Sequence, residues 1–535
     1  MPKLSGLSLV ALLVAGQFAC TGTSLGQKVS ASTATPIKHI VVIFGENISF
    51  DHYFGTYPKA LNPKGDPQFV AVPETPTVNG FTDALLKNNP NFLNTGGNAS
   101  GAINPFRLDR NQASTADQDH SYTPEQRAFH AGLMDSFPEY TGVPGPPPSG
   151  EANNGLVMGY YDGNTVTALW NYAQRYAMND NSFGSTFGPS TIGAINLISG
   201  QTNGVTDQIN ARGDLISGGD GTWTLIEDVD PIGDVCSTTT GGQVHFTGKN
   251  IGDLLNARGV TWGWFEGGFD LSLKNSNGTT GCERSTTSSI TNVLQVDYLP
   301  HHEPFQYYTA TSNLKHTRPS SVQMIGHAGD AANHQYDIND FYAAVRAGNM
   351  PAVSFLKAPA YQDAHAGYSD PLDEQTFIVT VINFLEQEPQ WSSTAVIIAY
   401  DDSDGWYDHQ MGPIVNQSAT AADMLSGKGR CGKGTSSLAG PRTPHAQGRC
   451  GYGPRLPLLV ISPYARRNFV DHTLTDQSSI IRFVEDNWLH GQRIGHGSFD
   501  AIAGPLDSMF NFDKASNIGT YLLDPSTGEV TTNTN

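Results

Sequence analysis

Five short apolar runs stand out along a chain otherwise rich in glycine and polar residues, at 40–44, 260–265, 352–356, 394–400 and 456–461. Each has the length and composition of a strand buried on both faces. Between several of them, apolar residues recur at helical spacing, over 167–176, 336–347, 374–387 and 478–489. In the third of these the repeat is Phe377, Val381, Phe384 and Leu385. Strands alternating with helices predict an α/β fold, a mostly parallel central sheet with helices on both faces. The stretches 60–115, 140–155, 205–245 and 415–455 are dense in Gly, Pro, Ser, Thr and Asn. They read as long surface insertions of the kind that shape binding sites. No repeat or linker divides the chain, so residues 37–535 read as one domain.

Two of the strands end in oxygen donors. Residues 40–44 run into Gly45-Glu46-Asn47, and residues 394–400 run into Asp401-Asp402. Ligands of open α/β sheets bind at the carboxyl ends of strands. If these two ends meet, three carboxylates and one amide oxygen surround a single point. Carboxylates that close repel one another unless a cation holds them, so the pattern predicts a metal site. Oxygen donors favour one hard divalent ion, Mg²⁺, Ca²⁺ or Mn²⁺, over Zn²⁺.

Ser190 follows Phe187-Gly188-Pro189 and precedes an apolar run, which looks like a helix start. On backbone grounds it is a helix cap. A helix N-terminus also favours an anion, and a serine there is placed to attack a bound phosphate. Of the 16 histidines, several sit in polar or Gly-rich settings: His120 in Gln118-Asp119-His120-Ser121, His301 and His302 before Glu303-Pro304, and His365 in Asp363-Ala364-His365-Ala366-Gly367. Taken singly each is an ordinary loop residue. Near a transferring phosphoryl group, imidazoles donate to its oxygens or protonate the leaving oxygen. His409, soon after Asp402, reads as an orienting neighbour.

Composition narrows the class. The chain has 535 residues, 38% hydrophobic, with 58 Gly and 32 Pro, enough for a large core with long loops. A net charge of −20 excludes nucleic acid and anionic membrane as charge-driven partners. Lys3 followed by the apolar stretch 7–14 reads as an export signal over residues 1–26, with 27–36 a flexible mature N-terminus. The expected location is therefore secreted or periplasmic. A lipid anchor through Cys20 is the weaker reading, because Gln17 and Phe18 spoil the small-residue context. No other segment is long and apolar enough to cross a membrane. Beyond the leader four cysteines remain, Cys236, Cys282, Cys431 and Cys450, an even number suited to an oxidising compartment. Three pairings are open, and nearest-neighbour pairing joins Cys236 to Cys282 and Cys431 to Cys450.

Several motifs in order resemble the bacterial phosphoesterase family that contains phospholipases C and an acid phosphatase branch. They are Glu46-Asn47-Ile48-Ser49-Phe50-Asp51-His52-Tyr53-Phe54-Gly55, Gln118 to Ser121, Phe187 to Ser190, His301 to Phe305, Met350 to Phe355 and Asp401 to His409. The resemblance implies an alkaline-phosphatase-like α/β fold with one catalytic metal site. It implies Glu46, Asn47, Asp401 and Asp402 as metal ligands and Ser190 as the nucleophile beside the metal, within its ligand set. Asn47, His120, His302 and His365 would face the phosphate or the leaving group, with His301 adjacent. The expected activity is hydrolysis of a small phosphate ester through a phosphoserine, as in the acid phosphatase branch; the alternative is a phospholipase C acting on phospholipid head groups. Ser190, where the phospholipase C branch often has Thr, and the short C-terminal remainder favour the former. A sulfatase is disfavoured because residues 190–194 lack the Pro and Arg of that chemistry. A secreted cation-binding protein without turnover is the reading from another class. The oligomeric state is not legible.

Overall fold

A computed structural model describes residues 32–146, 153–433 and 446–534. The expected leader therefore lies outside the described residues, as does the first half of the stretch read as flexible. The end of that stretch is held in place: Thr35 donates through both its main-chain N–H and its hydroxyl to Asn487 Oδ1. Thr33–Asn535 form one compact unit.

The centre is an eight-stranded sheet. In chain order its strands are β1 (His39–Gly45), β2 (Ala177–Asn179), β3 (Trp262–Glu266), β4 (Gln335–Asp337), β5 (Val353–Lys357), β6 (Thr394–Tyr400), β7 (Leu458–Ile461) and β8 (Phe469–Asp471). Their spatial order is β4-β3-β5-β1-β6-β7-β2-β8. All neighbours pair in parallel except β7, which is antiparallel to the strand on either side of it. The two strands that end in acidic residues are thus adjacent at the middle of the sheet. Their register pairs Gly45 with Tyr400, so Glu46 and Asp401 leave the sheet at the same level.

β6 is buried along its whole length, and β1 along all but His39. Strands so enclosed need cover on both faces. The helices that matter are α1 (Thr167–Arg175), α2 (Ser190–Ser199), α3 (Ile338–Arg346), α4 (Pro371–Glu386) and α5 (Ser478–Trp488). They pack in separate groups, α2 against α5 and α1 against α4. The mostly parallel α/β architecture expected from the alternating pattern is the one observed.

The segment 205–245, expected as a long surface insertion, carries a small five-stranded sheet whose strands lie between residues 203 and 246. Its strands are two to seven residues long and bulged, and its exposed residues do not alternate cleanly. Two disulfides, Cys236–Cys282 and Cys431–Cys450, are formed as nearest-neighbour pairing expects. Among the described residues no helix is long and apolar enough to cross a membrane.

Candidate active site

Three segments bring oxygen atoms to one point. Asn47 follows β1 in left-handed backbone, φ 63°, which asparagine tolerates better than most side chains. Asp402 follows β6. Ser190 opens α2, whose first turn lies close against the end of β6: a Cβ on Gly193 would stand 2.2 Å from the carbonyl oxygen of Asp401. Only glycine permits that approach. Ser190 is the first helical residue, one place past the cap position, which Pro189 occupies, so the capping role its sequence context suggests is not the one it plays. Its Oγ lies 2.8 Å from Glu46 Oε2, 3.2 Å from Asn47 Oδ1 and 3.1 Å from Asp402 Oδ2. All four residues are buried.

Asp401 is packed just behind them. Its Oδ1 accepts from the main-chain N–H groups of Asn47, 2.8 Å, and Asp402, 2.7 Å. Its Oδ2 is buried without a hydrogen-bond partner, 3.9 Å from the Lys357 ammonium. Lys357 also forms an ion pair with Glu46 Oε1. Burial first, then the nearby Asp401, push the Glu46 and Asp402 carboxyls well above the usual carboxylate range. For Asp401 burial acts the same way, but Lys357, Glu46 and the two main-chain N–H groups outweigh it and hold its carboxyl below that range.

These donors fit a divalent cation. The single hydroxyl hydrogen of Ser190 cannot serve three acceptor oxygens at once, and Asp401 Oδ2 is an orphaned acceptor beside them. A hard cation supplies what the proton cannot, and the ligands on offer are all oxygen.

The histidines lie around this point. His302 Nε2 is buried without a hydrogen-bond partner and stands 3.5 Å from Glu46 Oε2. Burial, then the charges of His301 and Lys357, hold its pKa well below the ordinary value. His120 pairs its Nδ1 with the carbonyl of Gln118, 2.8 Å, and lies 3.3 Å from Asp404 Oδ1. Burial pulls its pKa down, but Asp402, Asp404 and Asp117 together hold it well above. The His365 ring meets His120 edge-on at 6.0 Å and stacks on Tyr368; burial is the main cause of its lowered pKa. With Asp117, His120 and His365 place ligand atoms within 4.8 Å of one another. His301 turns away toward Asp230, 3.7 Å, with its ring edge against His302. His409 bonds Asp51 Oδ2 at 2.6 Å, in the layer behind the site.

Beside Ser190 and His120 opens a cleft of about 430 Å³ whose lining includes Asp117, Asp119, His120, Pro189, Glu227 and Asp228. Four of those are acidic. Burial first, then Asp228 and Asp119, push Glu227 up to about 8.

Four residues escaped the sequence reading: Lys357, Asp363, Asp404 and Glu125. Lys357 ends β5, next to β1 in the sheet. The same attention to strand ends that found Glu46 and Asp401 would have found it. Asp404 accepts from Asn47 Nδ2, 3.2 Å, and the Gln118 N–H, 3.3 Å, a role no local pattern announces.

The sequence profile of the phosphoesterase family matches residues 37–489. The chain belongs to that family. Among curated relatives, the non-hemolytic phospholipase C of Pseudomonas aeruginosa is 24% identical over 90% of this chain and 58% of its own length. The non-hemolytic phospholipase C of Burkholderia pseudomallei is 25% identical over 92% of this chain and 62% of its own. Phospholipase C B of Mycobacterium tuberculosis is 23% identical, over 92% and 80%. The chain thus spans about three fifths of the first two of these relatives. Among solved structures, a variant of the alkaline phosphatase PafA matches at TM-score 0.31 and 11% identity, over 64% of this chain and 94% of that one, a likeness too faint to bear on the chemistry.

Proposed function

We propose that this phosphoesterase hydrolyses phosphate esters in two steps with Ser190 as the nucleophile and one divalent cation held by Glu46, Asn47, Ser190 and Asp402, with Asp401 beside them. The observation that carries the reading is the convergence of three oxygen acceptors on one buried serine hydroxyl at the start of α2. When bound there, the cation would lower the pKa of that hydroxyl and offset charge on the phosphate.

In the first step Ser190 Oγ, its proton released to solvent as the lowered hydroxyl pKa would allow, forms a bond to phosphorus and the bond from phosphorus to the alcohol oxygen breaks. The alcohol leaves with a proton. His120 is assigned to that proton because it alone of the described histidines lines the open cleft through which an alcohol would depart. His302, whose Nε2 is buried and free of other bonds, and His365 are assigned to the phosphate oxygens. Water then hydrolyses the phosphoserine, so two inversions give net retention at phosphorus. The Thr191 N–H in the first turn of α2 is already taken by Asp228 Oδ1, 2.9 Å, so the helix end is assigned no part in holding the phosphate.

A second reading concerns the alcohol. Three aspartates in the cleft, Asp117, Asp119 and Asp228, favour a leaving group or head group that carries positive charge, as a zwitterionic phospholipid does. The phospholipases C among its relatives point the same way. A plain monoester would gain nothing from that lining.

One experiment addresses both. p-Nitrophenyl phosphate and p-nitrophenylphosphorylcholine are compared on the wild type, on the wild type with chelator, and on Ser190→Ala. Loss of nearly all turnover with chelator and in the variant, and phosphate on the Ser190 peptide of the active wild type after an acid quench with the monoester, are the expected results. Activity of Ser190→Ala within a few-fold of wild type would replace the serine by a directly attacking water. Preference for the choline ester identifies the cleft as a head-group site, and preference for the monoester removes that role.

A further inference from the structure

Among the described residues, Lys357 is the one lysine or arginine inside the carboxylate cluster, and the proposed chemistry does not use it. It closes β5, and its side chain is fully buried. The ammonium pairs with Glu46 Oε1, stands 3.9 Å from Asp401 Oδ2 and lies 5.3 Å from the centre of the Phe44 ring. The Asp363 carboxylate is its third acidic neighbour. Asp363 is itself tied in place by the Tyr368 hydroxyl, 3.1 Å, and the His365 N–H, 3.0 Å.

Glu46 therefore bridges. One of its oxygens faces the Ser190 group and the other faces Lys357. A carboxylate that shares its two oxygens between two positive centres is the arrangement of two-metal phosphate sites, in which the ions sit about 3.5–4 Å apart. Here the second centre is an ammonium that the protein carries itself.

We propose that Lys357 occupies a second cation position in this cluster and so restricts the site to one divalent ion. The inference rests on the metal reading given under Proposed function. Charge supports it. Glu46, Asp363, Asp401 and Asp402 bring four formal negative charges. Lys357 and one divalent ion return three, and the residual unit falls where Tyr368 and the His365 N–H already donate to Asp363. Without the ammonium two units stay unbalanced in a buried site, beside Glu46 Oε1 and Asp401 Oδ2, which face the vacated position. A second hard ion would fit both the charge and the donors. Lys357 also acts as a positioning residue, because its pull on Oε1 turns Oε2 of Glu46 toward Ser190.

The test counts ions rather than turnover. Wild type, Lys357→Met and Lys357→Arg are freed of metal and titrated with Mn²⁺, with elemental analysis and electron paramagnetic resonance of the bound fraction. The wild type and Lys357→Arg should take one Mn²⁺ per chain. Lys357→Met should take two, with the line broadening of a closely coupled pair. One ion or none in a folded Lys357→Met, against one in the wild type, overturns the proposal and leaves the metal reading intact. No bound Mn²⁺ in the wild type overturns the metal reading, and the proposal with it. If Lys357→Met fails to fold by circular dichroism, Lys357→Gln takes its place, since it keeps a donor without the charge. If both fail while Lys357→Arg folds, the lysine serves only to neutralise buried acids, and the proposal falls.

Discussion

Every polar atom of the Asn47 side chain, and its N–H, has a partner at the site, and that economy explains why one residue there matters so much. Its N–H donates to Asp401, its Nδ2 to Asp404, and its Oδ1 faces Ser190. The two acids that follow β6 divide labour in the same way. Asp402 turns Oδ2 to Ser190 and accepts the Asp404 N–H on Oδ1, 2.7 Å, whereas Asp401 spends Oδ1 on two main-chain donors. Asp402→Asn should therefore lower the affinity for bound metal by on the order of 10- to 100-fold or more. Asp401→Asn should lower it less, because an asparagine oxygen still accepts both main-chain hydrogens. Elemental analysis under limiting Mg²⁺ or Mn²⁺ checks the order, and equal losses would place Asp401 in the coordination itself. At this scale the gathering of Glu46, Asn47 and Asp402 around one point was legible in the sequence, since each follows an apolar run, whereas Ser190 was joined to them only by the family resemblance. The inner geometry of Asp401 and the presence of Lys357 were not legible, because a side chain's choice between neighbours depends on contacts across more than 300 residues of sequence.

The elements hold these side chains in place through a second set of buried contacts. Glu125, in the helix Tyr122–Phe129, accepts the Ser403 hydroxyl on one oxygen, 2.7 Å, and the Gly188 N–H on the other, 3.1 Å. It thereby ties the turn before Ser190 to the loop after Asp402. Removing it strands a buried N–H, at a cost of about 1–3 kcal/mol, and frees the two loops to part. Glu125→Ala should lower kcat by roughly 10- to 100-fold, with Glu125→Gln retaining most of it; unchanged kcat in the alanine variant would show that the loops need no such tie. Fully buried Arg455 joins the segments that follow β1 and β6, bonding Asp51 at 2.9 Å and Asp408 at 3.1 Å. The five apolar runs and four helical repeats were legible in the sequence because each spans enough residues to show its character. β2, β4 and β8 are three residues each, too short for any period to register, and the bulged small sheet over 203–246 hides its alternation.

At the scale of the whole molecule, acidity is internal as well as external. The net charge of −20 includes carboxyls that the fold buries. Burial is the leading cause that pushes Glu125 and Glu374 up to about 7 and Asp476 up to about 6. A carboxyl whose folded pKa lies above its unfolded one binds its proton more tightly in the folded state. Its contribution is fully present below the unfolded pKa and is lost as pH rises through the folded pKa. The metal-free protein should therefore lose stability between about pH 4.5 and about pH 8, the opposite of the trend set by exposed, salt-bridged acids. Glu374 isolates the effect. Its carboxyl accepts hydrogen bonds from Tyr53, 2.9 Å, and Tyr400. Burial raises its pKa and those two tyrosines alone oppose the rise, with no cation contributing. A rise from 4.5 to about 7 corresponds to on the order of 3 kcal/mol lost once the group is ionised. Glu374→Gln keeps an acceptor for a tyrosine and has no proton to lose. Thermal melts in chelator should show wild type falling as pH rises through about 7, with a visibly shallower fall in Glu374→Gln. Parallel curves for the two proteins would mean that Glu374 stays ionised in the folded core, held there by its two tyrosines, and the decline would have to be sought in the other buried acids.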